Sequence, residues 1–335
     1  MDKLDISILR ALRSNPARNP YSSKLSTLRE IASEVSVSKD TVKARLDLLT
    51  KKGVFGGWQV MLNPSLLSMQ LARIWLEFAE ESLKREAIER LKTQKMVQRF
   101  TDYYGNSLSY VTQFNKTSSL QDQIDSSKSH FSVKSSFGAT IMFPDCTMRE
   151  VTPSDMAIYN AIWNHYNRRL ADIAGESGLP IRTVSRRLAK LSESKAIFVI
   201  PMINPFAIDG AVCQILVRHS KIQFPRLAQA IMAMGSDCVL FLEPHLESIV
   251  VVVMAARNLT RGQEMTRFLQ NVKGIDWARL FLVTGTWRSP GPYLNPIDAD
   301  YSDKAQTSQW QTWRFQYITR QEAIAPRKLI RFDSR

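Results

Sequence analysis

The 335-residue sequence predicts an α+β protein made of two tandem units, each with three helices followed by a small sheet. Three observations lead to this prediction. A helical segment recurs 142 positions later, and the same order of helical and strand patterns follows each copy. The composition, 44% apolar and 23% charged, is typical of chains that bury a core.

The repeat appears when residues 31–54 are aligned with residues 173–197. Identities fall at both apolar and charged positions: Ile31/Ile173, Ala32/Ala174, Glu34/Glu176, Thr41/Thr183, Val42/Val184, Arg45/Arg187, Leu46/Leu188 and Leu49/Leu191. Upstream, Asp5, Ile8 and Ala11 match Asp155, Ile158 and Ala161, and downstream LNP at 62–64 matches INP at 203–205. The spacing indicates duplication of a whole unit rather than a solenoid repeat.

Each copy begins with three predicted helices and a β hairpin. The helices are expected at 3–13, 27–34 and 39–52, and again at 153–166, 169–176 and 181–194. Ser38 is expected to cap the third helix of the first copy, and Pro180 is expected to begin the third helix of the second copy. The hairpins are expected in GVFGGWQVML and AIFVIPMI, and the second should start differently because Lys195 replaces Gly53. Helix, helix, turn, helix and hairpin is the order of a winged helix-turn-helix.

A βαββαβ pattern follows each helical part. Strands are expected at 70–78, 96–104, 107–114 and 137–143, with helices at 82–93 and 117–130. The second copy has strands at 211–218, 238–244, 248–256 and 278–286, with helices at 225–234 and 260–273. This is a ferredoxin-like antiparallel sheet with both helices on one face, and its other, apolar face needs a partner sheet.

These patterns predict five segments. Winged helix-turn-helix domains are expected at 1–64 and 149–205, ferredoxin-like regulatory domains at 65–148 and 206–288, and a C-terminal extension at 289–335.

Charge points to a polyanionic partner. The formal net charge is +14, and residues 1–60 contribute +5 of it and residues 151–200 contribute +3. Nucleic acid, or less often an anionic membrane surface, binds such proteins. The three separated cysteines and the N-terminus without a signal peptide predict a cytoplasmic protein. The longest apolar run, at 248–256, is too short to span a membrane.

The third helix of each copy is the candidate recognition helix for double-stranded DNA. In a helix-turn-helix, residues near the start of this helix reach base edges in the major groove, and others hold phosphates. The candidate residues are Ser38, Lys39, Asp40, Lys43, Arg45, Lys51 and Lys52 in the first copy, and Arg182, Thr183, Ser185, Arg186, Arg187 and Lys190 in the second. The alternatives are a solvated charged helix face, and for Arg45 and Arg187 a salt bridge within the domain.

The motif S-x-x-T-V-x-x-R-L-x-x-L-x-x-x-G-V at 38–54 resembles the Lrp/AsnC family of regulators. The resemblance covers residues 4–144 and again 154–287. It implies a transcription regulator that forms homo-oligomers through its regulatory domains and senses a small-molecule effector such as an amino acid. A tandem chain would resemble a covalently fused dimer. Near the family's effector region the sequence departs from the pattern, because Asp102 stands where a glycine is expected.

Enzyme motifs were sought as well. The sequence has no phosphate-binding loop, GxGxxG, HExxH or GxSxG motif, so no catalytic residue, metal site or cofactor is predicted. Siroheme decarboxylases resemble the same family, and on that alternative His245 would be the candidate tetrapyrrole contact.

The C-terminal extension carries Trp310, Trp313, Phe315 and Tyr317 before a basic end. It is expected to pack as an edge strand or strap. The alternatives are a dimerisation arm and a nucleic-acid contact, as in an architectural protein. Arg13, Arg18 and Lys24 of the first linker are candidate DNA-backbone contacts or part of a mobile loop.

Overall fold

The computed structural model describes residues 1–13, 26–115, 118–148, 150–163, 169–289 and 318–319. Within these ranges two runs of elements follow each other in the same order, three helices and a strand and then βαββαβ. The predicted α+β fold is confirmed.

The first run extends to residue 140. Its helices are α1 (Lys3–Ala11), α2 (Leu28–Glu34), α3 (Lys39–Lys51), α4 (Glu81–Thr93) and α5 (Leu120–His130). Its strands are β1 (Phe55–Leu62), β2 (Met69–Phe78), β3 (Val97–Tyr103), β4 (Ser107–Asn115) and β5 (Val133–Thr140).

The second run begins at residue 153. Its helices are α6 (Pro153–Ile162), α7 (Leu170–Ser177), α8 (Ile181–Glu193), α9 (Phe224–Met234) and α10 (Leu259–Gln270). Its strands are β6 (Ile197–Ile203), β7 (Ala211–His219), β8 (Val239–Pro244), β9 (Ile249–Ala256) and β10 (Ile275–Arg288). A short strand, β11 (Ile318–Thr319), pairs with β10 inside the predicted C-terminal extension.

Local sequence explains where the helices start and stop. The side chain of Ser38 accepts a hydrogen bond from the Thr41 N–H at 3.0 Å, as a helix cap should. Pro180 lies one position before α8 rather than inside it. After α8, Lys195 adopts the left-handed conformation (φ 56°) that Gly53 adopts after α3 (φ 72°). The expectation that Lys195 changes the start of the following strand is therefore wrong, and a lysine takes a backbone conformation that favours glycine.

The predicted β hairpins are also wrong. Each copy contributes a single strand here, and β1 and β6 pair with each other as an antiparallel ribbon between the two copies. The ends of the ribbon are closed by two matching hydrogen bonds, from the Asn63 N–H to the Ala196 carbonyl and from the Asn204 N–H to the Val54 carbonyl, both 2.8 Å. A strand from the other copy thus satisfies the backbone groups that a hairpin partner would have satisfied.

The remaining strands form one antiparallel sheet in the order β5-β2-β4-β3-β10-β7-β9-β8. Strand β10 joins the halves, because residues 275–282 pair with β7 and residues 283–288 pair with β3. At the opposite edges, Ile141 and His245 form an isolated antiparallel bridge. The two halves are therefore linked along both sides.

Packing crosses between the copies. Helices α1–α3 share a hydrophobic cluster with Leu240 and Val251 of the second sheet half, and α6–α8 share one with Leu71 and Val111 of the first. Trp75 and Tyr103 of the first half join the cluster that contains Leu240 and Val251. The inner sheet faces thus cover each other within the chain, which removes the apolar surface that would require an external partner. Among the described residues, no helix is long and apolar enough to cross a membrane.

Candidate nucleic-acid interface

Helices α3 and α8 each bury one face and expose another. Val42 and Leu49 of α3, and Val184 and Leu191 of α8, are at most 2% exposed. In both helices these residues anchor the helix to the other two of its trio. The exposed faces carry Lys39, Asp40, Lys43, Lys51 and Lys52 on α3 and its end, and Arg182, Ser185, Arg186 and Lys190 on α8.

Seven of these exposed side chains are cationic and make no ion pair or side-chain hydrogen bond with any described residue: Lys39, Lys43, Lys51, Lys52, Arg182, Arg186 and Lys190. A lysine or arginine in this state keeps its full donor capacity for an external acceptor. The structure gives Ser38 a capping role, while Thr183 is half-buried at the start of α8.

Arg45 and Arg187 differ from these exposed cations. Arg45 Nη1 lies 2.7 Å from Asp2 Oδ2 and 3.2 Å from Asp5 Oδ1. Arg187 Nη1 lies 2.9 Å from both Asp155 Oδ1 and Thr152 Oγ1. In both copies the acidic residues also form the capping box that begins the first helix. The geometry therefore supports the salt-bridge alternative for both arginines, because their guanidinium groups tie the third helix to the first.

The two exposed faces are not equivalent. The first residue of α3 is Lys39, whereas α8 begins with Ile181, whose side chain is 51% exposed. The next residues are Asp40 and Arg182, which carry opposite charges. An apolar side chain at such a position can contact a thymine methyl group, whereas lysine and arginine reach guanine or phosphate.

A buried polar cluster lies between the sheet halves, and the sequence did not predict it. Arg73 Nε and Nη2 both lie 2.8 Å from Glu243 Oε1, and Arg99 contacts Glu243 Oε2. Burial alone would raise the pKa of Glu243, but the charges of Arg73 and Arg99 and a contact with His245 hold this pKa well below its usual range. The one sequence signal for this cluster was the position of Arg73, which lies between Leu71 and Trp75 on the strand face that was predicted to be apolar.

His245 belongs to the edge of this cluster. Its side chain is fully buried, with Nε2 3.4 Å from Glu243 Oε1 and its ring 5.7 Å from that of Trp75. This environment is that of a packed core histidine. Among the described residues, no group of histidine, cysteine and acidic side chains has the arrangement of a metal site.

The Lys84 side chain lies under the β3–β4 turn, next to Asp102, where the sequence departs from the Lrp/AsnC pattern. Lys84 Nζ lies 2.9 Å from both Asp102 Oδ1 and the Tyr103 carbonyl oxygen, and it also contacts the Gly105 carbonyl. Lys84 is 5% exposed, so an ammonium group from α4 fills the space under the β3–β4 turn. Sequence reasoning found Asp102 but had no signal for its partner.

Several predicted contacts lie outside the described residues. They are Arg18 and Lys24 of the linker, and Trp310, Trp313, Phe315 and Tyr317 of the extension. Arg13 is described, and its guanidinium group stacks 3.8 Å above the ring of Phe241.

Comparison with known proteins gives one sequence relative and a shared fold. No protein-family model matches the chain. The HTH-type transcriptional regulator Ptr1 of Methanocaldococcus jannaschii is 33% identical over 92 residues, which are 28% of this chain and 57% of the relative. The chain thus matches little more than half the length of that relative.

Solved structures share the architecture. The siroheme decarboxylase NirDL superposes with a TM-score of 0.51 at 14% identity, over 84% of this chain and 92% of that chain. At this identity the likeness establishes the fold alone. E. coli AsnC matches 45% of this chain and 97% of its own, at 20% identity and a TM-score of 0.30, which is too low to support a further conclusion.

Proposed function

We propose that the chain is a double-stranded-DNA-binding transcription regulator of the Lrp/AsnC type, built by tandem duplication, and that it is not an enzyme. The observation that carries this proposal is the division of cations on α3 and α8. Arg45 and Arg187, which point toward the first helix of their trio, have acidic partners. The seven solvent-exposed cations of these helices have no acidic partner among the described residues. The sequence relative, an HTH-type transcriptional regulator by name, supports the same function.

In this proposal the starts of α3 and α8 enter the major groove. Lys39, Lys43, Arg182 and Arg186 lie in the first two turns, where recognition helices contact base edges. Lys51, Lys52 and Lys190 lie near the helix ends and would bind phosphates. The β1–β6 ribbon connects the two units, so both helices would bind one stretch of DNA in a fixed relation.

The regulatory part comprises the two sheet halves with α4, α5, α9 and α10. We assign helix-turn-helix domains to 1–64 and 149–205, each with one strand of the shared β1–β6 ribbon in place of a hairpin wing. We assign regulatory domains to 65–148 and 206–288 and the extension to 289–335. Because the inner sheet faces pack against each other within the chain, further oligomers would form through other surfaces. Homo-oligomerisation and effector binding stay predictions.

A salt series tests the proposal. Fluorescence polarisation of labelled random and genomic duplexes should show binding that falls with salt, with each phosphate contact adding about 0.9 to the slope of log K against log salt. The double variant Lys51→Ala/Lys190→Ala removes two cations that are proposed to bind phosphates, so it should bind less tightly and lower this slope by about 1.8. Lys95→Ala/Lys134→Ala removes the same charge from exposed positions on the first sheet half and should keep the slope.

The outcomes separate the alternatives. Selective binding of a genomic sequence supports a regulator, and equal binding of all duplexes supports an architectural role. No binding at moderate salt, or equal losses in both double variants, contradicts the proposed interface. Absorbance after mixing with a tetrapyrrole tests the siroheme decarboxylase alternative, which the burial of His245 does not favour.

A further inference from the structure

An open pocket of about 470 Å³ lies on the second sheet half, away from the faces of α3 and α8. Two loops form it, one joining β7 to α9 and the other joining α10 to β10. Its lining residues are Lys221, Ile222, Gln223, Arg226 and Lys273. The volume falls within the ~300–1,000 Å³ range of small-molecule sites.

Every charged group that lines this pocket is cationic. The side chains of Lys221, Arg226 and Lys273 are exposed, and none makes an ion pair or hydrogen bond with any described residue. The amide of Gln223 adds a neutral donor. The pocket therefore gathers three cations that keep their full donor capacity, and no carboxylate among the described residues lines it.

The two loops that carry these cations are held together through their backbones. The Gly274 carbonyl accepts hydrogen bonds from the N–H groups of Ser220 at 3.1 Å and Lys221 at 3.4 Å. Gly274 has a φ of 95°, and a Cβ at this position would lie 3.0 Å from the Ile222 nitrogen, so this approach requires glycine. Ser220 Oγ also donates to Asp276 Oδ1 at 2.6 Å. A backbone fixed in this way lowers the ordering cost of binding a ligand.

The first copy has the same two loops but not the cations. Counting from the end of the first strand of each half, Glu80 stands where the second copy has Lys221. Arg85 stands at the place of Arg226, but its Nη2 lies 2.8 Å from Glu81 Oε1. Both α4 and α9 begin without a side-chain cap, so the helix start does not distinguish the copies. The cationic pocket is therefore a property of the second copy alone.

We propose that this pocket binds the di- or triphosphate group of a small phosphate ester. Such a group carries several negative charges close together, and lysine and arginine both bind phosphate oxygens through charge-assisted hydrogen bonds. A ligand with a single charge would leave cations of the pocket unpaired. The space beside Ile222 and Gln223 would accept the rest of the ester. This inference is independent of the proposed DNA binding by α3 and α8.

Inorganic tripolyphosphate is the probe, and orthophosphate is the comparison. Calorimetry on the full chain without DNA should show one saturable site for tripolyphosphate, with orthophosphate at least about tenfold weaker because it engages fewer cations. The exposed surface is screened by salt, so the measurement is made at about 0.1 M ionic strength, where weak diffuse attraction is reduced.

Charge-reversed variants locate the site. Lys221→Glu and Lys273→Glu should each weaken tripolyphosphate binding about tenfold or more, because each replaces an attraction by a repulsion. Both positions are exposed, so the fold should be retained. Arg85→Gln removes a cation from the matched place in the first copy and should leave binding unchanged. Lys51→Ala/Lys190→Ala should also leave it unchanged.

Three results would overturn the site: no saturable binding of tripolyphosphate, an equal loss in Arg85→Gln, or a loss in Lys51→Ala/Lys190→Ala that Lys221→Glu does not share. Duplex DNA is the other source of phosphate, and the same variants separate it. Loss of tripolyphosphate binding in Lys221→Glu with unchanged DNA affinity supports the proposal. A weaker DNA affinity in Lys221→Glu, in a chain without saturable tripolyphosphate binding, assigns the pocket to the DNA backbone and refutes the small-ligand proposal.

Discussion

Arg186 and Arg187 are adjacent on α8, and the structure predicts opposite consequences for their loss. Arg187 donates hydrogen bonds to Asp155 and Thr152, both at 2.9 Å, whereas Arg186 is exposed and has no partner among the described residues. Arg187→Met should therefore destabilise the protein while leaving the DNA-facing side of the helix intact. Arg186→Met should weaken DNA binding and leave stability unchanged within about 0.5 kcal/mol.

The magnitude follows from burial. The side chain of Asp155 is 1% exposed and that of Arg187 is 26% exposed. Exposed pairs contribute ~0.2–1 kcal/mol, and removing one partner of a fully buried pair costs ~3–5 kcal/mol. A value of about 2 kcal/mol lies between these limits. At ~2.1 cal/mol/K per residue, this lowers the Tm of a 335-residue chain that unfolds cooperatively by about 3 °C.

The pH dependence gives a second check. Burial alone would raise the pKa of Asp155, but hydrogen bonds from Thr152 and Arg187 and the charge of Arg187 lower it below its usual value. A carboxyl group with a lowered folded-state pKa contributes stability above its unfolded pKa and loses it as the pH falls through the folded value. The difference in Tm between the wild type and Arg187→Met should therefore be complete at pH 7 and shrink in acid.

Calorimetric unfolding and fluorescence polarisation measure the two effects on the same samples, with DNA binding recorded below the unfolding range. The reasoning is refuted if Arg187→Met retains wild-type stability and weakens DNA binding as much as Arg186→Met does. That result would place the Arg187 guanidinium group at the DNA rather than at Asp155.

Two further substitutions test the described geometry. Lys84→Met should lower the free energy of unfolding in urea by about 3 kcal/mol, because it removes the ammonium group that contacts the buried Asp102. Adding Asp102→Asn should recover part of this loss, and no recovery would argue against the charge as its cause. Lys195→Gly should raise stability by about 0.5–1 kcal/mol by relieving the left-handed backbone, whereas Gly53→Ala should lower it. A loss of stability in Lys195→Gly would contradict this assignment.

Local patterns predicted the elements well because their causes are local. Val42, Leu46 and Leu49 recur at helical spacing, and the side chain of Ser38 has its partner three residues away. These two signals placed α3 to within one residue of its observed end. The identities between the copies then transferred the same prediction to α8.

Interactions between distant residues were not predictable in this way. The pairing of β1 with β6 joins residues more than 130 positions apart, and either strand alone has the pattern of half a hairpin. Arg73 and Glu243 are 170 positions apart, and although Arg73 stands out on an apolar strand face, no local pattern links it to Glu243. The Asp5 and Asp155 identities marked a shared role, but only three-dimensional proximity revealed that each holds an arginine of the third helix.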